Sequence, residues 1–281
     1  MGKFRVKSPA FAPPAFRNDT PETPVAPPRP APGWRPSVRR LLRRGLRLLR
    51  LLVLLFVLST VTVTLLYRFV PPPLTPLMVL RLWEQYREGE PLTLKKEWRP
   101  LREMSPWMPA AVITAEDQRF FAHRGFDFRA IEQARQHNQR ALERAREGRR
   151  AAPLRGASTI SQQTAKNVFL WPVRSWTRKG LEVWFTFLIE TLWPKERILE
   201  IYLNVAETGD GLYGAPIAAR HYFGRDAEHL TRAQAARIAA ILPRPRAWSA
   251  SYPPRHVLRR QERILRQMPA FYRRYDAPGE E

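Results

Sequence analysis

Gly156-Ala157-Ser158-Thr159-Ile160-Ser161-Gln162-Gln163-Thr164-Ala165-Lys166-Asn167 is a run of small and neutral polar residues whose spacing is helical. Ser158 or Thr159 supplies an N-cap hydroxyl. Past the cap, Thr159, Gln163 and Asn167 recur every four residues and Gln162 stands one turn before Lys166, so hydroxyl, amide and ammonium groups gather on one face. Such a stripe suits a sugar-phosphate ligand, the amides meeting hydroxyls and the lysine meeting phosphate. A solvated helix face is the competing reading, and small neutral residues in place of Glu and Lys count against it.

Further helices extend in both directions from this one. Asp127 is placed to cap a helix through Ala145 that Gly148 terminates, and Thr177 to cap another that Pro194 closes. Lys195 to Asn204 reads as the next. Gly209, Gly211 and Gly214 make a loop, and Thr231 caps an alanine-rich helix ending before Pro243. No alternating run argues for a sheet of any size. The expected fold is mostly α.

Two carboxylates stand out among these helices. Glu116 opens Glu116-Asp117-Gln118-Arg119-Phe120-Phe121-Ala122-His123-Arg124-Gly125. An acid beside a second acid and an aromatic wall tends to a raised pKa, which suits a general acid or base. His123 has no Ser or Cys nucleophile partner in view, so it reads as a residue fixing its loop. Glu182 closes Arg178-Lys179-Gly180-Leu181-Glu182, one turn after Arg178 and flanked by Trp176 and Trp184. The pair reads as partly buried, and a buried pair positions charge more than it stabilises a fold.

The N-terminal third has a different character. Residues 1–37 are rich in Pro and Ala without apolar periodicity, which predicts a disordered tail. Residues 38–70 begin with Arg39, Arg40, Arg43, Arg44, Arg47 and Arg50, then run uncharged from Leu51 to Tyr67 until Pro71-Pro72-Pro73 stops the helix. That run is at the short end for a single membrane-spanning helix, and snorkelling arginines lengthen it. The basic excess before it places the N-terminus in the cytoplasm. Residues 71–108 read as a membrane-proximal connector whose Trp83, Tyr86 and Trp98 rest at the lipid interface or on the domain. Residues 109–250 form the main domain, and residues 251–281 a C-terminal helix and tail.

Composition narrows the partners. The net charge of +23, from 48 Lys+Arg against 25 Asp+Glu, favours an anionic membrane or phosphate-bearing ligand. Nucleic acid is excluded by orientation, since the basic domain lies beyond the membrane. The absence of cysteine rules out disulfides, zinc-thiolate sites and Cys nucleophiles.

Four ordered blocks carry a resemblance. E-D-x-x-F-x-x-H-x-G at Glu116, G-x-S-T-x-x-Q-Q-x-x-K-N at Gly156, R-K-x-x-E at Arg178 and K-x-x-I-L-x-x-Y-L-N at Lys195 occur without a mismatch. They resemble the signatures of the peptidoglycan glycosyltransferases, glycosyltransferase family 51. The stretch Arg155 to Asn167 and Arg174-Ser175-Trp176 is similar to the monofunctional biosynthetic transglycosylases of Gram-negative bacteria. The resemblance implies a lysozyme-like helical glycosyltransferase domain that polymerises lipid II into β-1,4-linked glycan, releasing undecaprenyl diphosphate. It implies Glu116 as general base and Glu182 as the second acid, placing the diphosphate directly or through a divalent cation, Mg or Mn; the sequence itself requires no cofactor. It further implies Lys166, Arg178 and Lys179 on the diphosphate, and Ser158, Thr159, Gln163 and Asn167 along the sugar sites. Asp117, Phe120 and His123 shape the Glu116 loop within the same binding region. The implied location is the inner membrane with the domain in the periplasm, and the implied partners are lipid II, the growing lipid-linked glycan, and penicillin-binding transpeptidases or divisome proteins.

None of the seven lysines follows a serine by three positions and no Lys-Thr-Gly occurs, so no transpeptidase activity is expected. One departure from the family lies at Gln234, in Leu230-Thr231-Arg232-Ala233-Gln234-Ala235, where Glu is usual; a structural role for that position is the favoured reading. The rival functions are a lytic muramidase acting on the same polymer and a non-catalytic wall scaffold.

Overall fold

The computed structural model describes residues 35–149, 154–173 and 175–276. The proline-rich stretch 1–34 and Arg174 of the Arg174-Ser175-Trp176 motif lie outside them. The chain divides into two units, residues 1–53 and 54–281. In the first, residues 35–53 are helical and every side chain from Val38 onward is exposed. They belong to α1 (Arg35–Phe69), of which Val38–Phe69 is long and apolar enough to cross a membrane.

The second unit holds the rest of α1 and ten further helices among the described residues: α2 (Pro76–Glu88), α3 (Trp107–Glu116), α4 (Phe128–Arg146), α5 (Ile160–Phe169), α6 (Trp176–Leu192), α7 (Lys195–Val205), α8 (Ala215–Phe223), α9 (Arg232–Ile241), α10 (Arg255–Gln267) and α11 (Pro269–Asp276). The sequence explains why α3 lies at the centre. It is apolar all round, which is the pattern of a buried helix, and Met108, Ala110, Ala111, Val112 and Ile113 are sealed from solvent. The alanines Ala235, Ala236, Ala239 and Ala240 of α9 are buried too, and their small side chains let α9 pack closely on α3. α10 and α11 complete this bundle, while α5, α6 and α7 form a second one. Glu116 ends α3 facing the second bundle, so the two bundles meet at its carboxylate.

Several expectations are corrected. The glycine loop is part of a small sheet, with β1 (Lys95–Lys96), β2 (Glu207–Gly209) and β3 (Leu212–Tyr213) in the order β1-β3-β2. Strands of two or three residues are too short for alternation to show in sequence. Gly211 turns between them at φ 65°, and a Cβ there would lie 2.3 Å from the Thr93 carbonyl oxygen. The cap of α6 is Ser175, whose Oγ accepts from Arg178 N at 3.1 Å; Thr177 lies inside the first turn. The connector is largely folded onto the domain. Leu77 and Met78 of α2 join the core and Trp98 packs against it, whereas Trp83 and Tyr86 stay exposed. At α9, Thr231 and Gln234 form a capping box, a position where Gln serves as well as Glu.

The C-terminal end of α1 is tied to the domain by polar groups. Trp184 Nε1 donates to Thr60 Oγ1 at 3.2 Å and Trp193 Nε1 to the Thr64 carbonyl at 2.7 Å. Arg197 donates through Nη2 to the carbonyls of Tyr67 (2.9 Å) and Val70 (3.0 Å), pairs with Glu200, and lies 5.0 Å from the Trp98 ring. A helix end leaves carbonyls without intrahelical partners, and this guanidinium supplies them. Arg197→Ala is therefore expected to destabilise the second unit by about 2 kcal/mol, read as a lowered Tm in detergent solution with α1 still helical.

Candidate active site

The Glu116 carboxylate is held from two sides. Its Oε2 accepts from Gln163 Nε2 on α5 at 2.9 Å, and its Oε1 accepts from Arg260 Nη2 on α10 at 2.8 Å. Tyr202 of α7 donates its hydroxyl to Gln163 Oε1 at 3.1 Å, which fixes the amide so that its NH2 faces the acid. Burial raises the pKa of Glu116; Arg260 and Gln163 oppose that rise, and Asp117 adds to it only weakly. The direction matches the sequence reading, but enclosure rather than the neighbouring acid is its main cause.

Asp117 supports this site by tying its loop to α5. Its Oδ2 accepts from Ile160 N, the first amide of α5, at 3.0 Å, and both oxygens lie 3.0 Å from His123 Nε2. Thr159 caps α5 through Gln162 N and donates to the Gly125 carbonyl at 2.6 Å. Gly125 has φ 83° and a Cβ there would lie 2.8 Å from Thr186, so the loop closes tightly against α6. Phe120 is fully buried, with Lys195 Nζ 4.6 Å from its ring centre. Asp117 and Thr159 thus join the 117–125 loop to α5, His123 and Phe120 pack within that loop as expected of residues that shape it, and Asp117 and Thr159 also border the cleft beside Glu116. Ser158 is exposed and borders a cleft of about 240 Å³ with Glu116, Arg119 and Gln133.

On the other side of Gln163, a cavity of about 180 Å³ is bordered by Lys166, Asn167 and Tyr202 from the helices, and by Arg81 and Glu207. Lys166 Nζ makes no hydrogen bond among the described residues, and burial pulls its pKa down while Glu182 opposes that and Arg178 adds to it. Glu182 is buried on α6. Its Oε2 accepts from Arg178 Nη1 at 2.7 Å and its Oε1 is paired with Lys179. Arg178 and Lys179 thus pair with one carboxylate that Lys166 also feels, and the local excess is cationic. This arrangement fits an anionic group. Both Glu182 oxygens already serve cations, so neither is free for a divalent cation.

Arg260, Tyr202, Arg81 and Glu207 were missed as site residues. Tyr202 stands within a quoted motif, which was its only signal. Arg260 is one of several arginines on α10, and nothing in its spacing singles it out.

Residues 86–269 match the model of a family described as Transglycosylase. The chain is 53% identical over 223 residues to a biosynthetic peptidoglycan transglycosylase of Stutzerimonas stutzeri, covering 79% of this chain and 88% of that protein. It is 52% identical over 226 residues to the protein of that name from Xanthomonas campestris pv. campestris (80% and 88%). It is also 52% identical over 227 residues to that of Caulobacter vibrioides (81% and 91%).

Proposed function

The chain belongs to the transglycosylase family and is a peptidoglycan glycosyltransferase, and from that premise we propose how its residues divide the reaction. Glu116, ionised, takes the proton of the acceptor sugar's 4-hydroxyl. That oxygen forms a bond to the anomeric carbon of the lipid-linked donor as the bond to the diphosphate breaks, with inversion. Lys166, Arg178 and Lys179 take up the charge of the leaving diphosphate, and Glu182 holds the latter two in place. Gln163 and Asn167 face the sugars. No step runs through a metal ion.

The observation that carries this reading is a buried carboxylate held by Gln163 and Arg260, with a cationic cluster formed by Lys166, one helical turn beyond Gln163, and by Arg178 and Lys179 on α6. A muramidase cleaving finished glycan has no diphosphate to meet and no use for that cluster. The substrate is lipid II, presented at the membrane that α1 anchors. The arginines of residues 39–50 keep the N-terminus in the cytoplasm, and the catalytic unit works at the outer face of the inner membrane.

The test uses the full chain in detergent with labelled lipid II and separates the products on a gel. A ladder of glycan polymer is expected. Shortening of preformed glycan with no ladder would establish the lytic reading in its place.

A further inference from the structure

The cavity beyond Lys166 ends in a pair of groups that the reaction above does not use. Arg81 reaches it from α2 and Glu207 from β2, and their Nε and Oε1 atoms face each other at 3.4 Å. Both atoms are buried, and neither has a hydrogen-bond partner among the described residues. Arg81 is not free to turn away. Arg81 Nη1 is held by Glu84 Oε2 at 2.5 Å, and the same Glu84 lies 4.0 Å from Arg246, whose Nε forms an ion pair with Asp210 Oδ1 at 3.0 Å. A guanidinium and a carboxylate therefore border the cavity side by side.

We propose that Arg81 and Glu207 together bind a hydroxyl of a sugar ring in the lipid-linked glycan, and so act as a specificity-determining element of the glycosyltransferase. Chemistry selects the ligand class. A hydroxyl donates one hydrogen bond and accepts another, so it satisfies the carboxylate and the guanidinium at once. A phosphate or carboxylate would meet the Glu207 anion, and an ammonium group would meet Arg81; each is disfavoured by one of the two walls. The diphosphate has its own cations at Lys166, Arg178 and Lys179, of which Lys166 borders the same cavity as Arg81 and Glu207. Burial draws the Glu207 pKa up, with Arg81 and Arg246 opposing and Asp210 and Glu84 adding to the rise, as expected of a carboxylate that lacks its hydrogen-bonding complement.

The inference rests on the glycosyl-transfer reading, and the experiment separates the two. Full-length wild type and Glu207→Gln are assayed in detergent with lipid II and with lipid II analogues, each lacking one hydroxyl of the N-acetylglucosamine ring other than the attacking one. One deoxy analogue is expected to lower wild-type kcat/KM roughly tenfold, the worth of one hydrogen bond to a charged group, and to lower that of Glu207→Gln by less than twofold relative to its own lipid II value. Arg81→Gln is expected to show the same loss of discrimination for that analogue and for no other. Because each ratio is internal to one variant, partial unfolding cancels. Equal deoxy penalties in wild type and both variants would overturn the proposal. Absence of polymer from the wild type with lipid II would instead overturn the glycosyl-transfer reading itself.

Discussion

Glu116→Gln is expected to slow glycan polymerisation by about three orders of magnitude, within the range of a lost general base, while lipid II binding changes little. The amide keeps the size of the side chain but presents one acceptor where the carboxylate presents two, so Arg260 and Gln163 compete for it. The companion variant is Arg260→Ala, which leaves the base in place and alters its proton affinity. The active form is the ionised one, and burial already holds the Glu116 pKa above the ordinary carboxylate range against the pull of Arg260. Removing that guanidinium takes away the largest opposing influence, so the pKa rises further and the acidic limb of kcat/KM against pH moves to higher pH. Arg260→Lys restores a positive charge and is expected to move the limb partway back. An acidic limb that stays where the wild type has it in Arg260→Ala would remove Arg260 from the mechanism, and one that survives in Glu116→Gln would assign it to another group.

The parts of this site that were legible in sequence are those that one helix assembles. Arg178 and Glu182 are four apart, so helical geometry alone brings them together, and the 2.7 Å pair follows. The Thr159 and Thr231 caps were readable because a cap is a local event. What joins α3 to α10 was not: Arg260 and Glu116 are 144 residues apart, and an arginine-rich amphipathic helix offers no local mark for the one arginine that turns inward. The same holds for Arg81, which lies in a segment read as a connector, and for Glu207, whose strand is too short to show a period. The four-residue stripe Thr159, Gln163, Asn167 also shows the limit of spacing. It puts the residues on one face, but the helix start claims Thr159 for a cap, and only Gln163 and Asn167 remain to border the cavity.

Asp117→Ala is expected to be the most destabilising of the polar substitutions near the site, at about 3 kcal/mol, because it strips two buried groups of their partner at once. His123 Nε2 and the Ile160 amide both lose an acceptor within 3.0 Å, in a loop where His123 Nδ1 already has none among the described residues. For a unit of this size the loss corresponds to a Tm lower by roughly 6–12 °C. Asp117→Asn separates a supporting role from a ligand contact. Its amide oxygen still accepts from the Ile160 amide and its NH2 can turn to the His123 ring, so most of the stability is expected to return. With the loop back in place, kcat and KM for lipid II should return with it. If Asp117 instead bound a sugar hydroxyl through its charge, Asp117→Asn would keep a raised KM at a Tm near that of the wild type. The hydrogen bonds of Asp117 predict that KM recovers as Tm does, since the same carboxylate that starts α5 also sets where Gln163 meets Glu116.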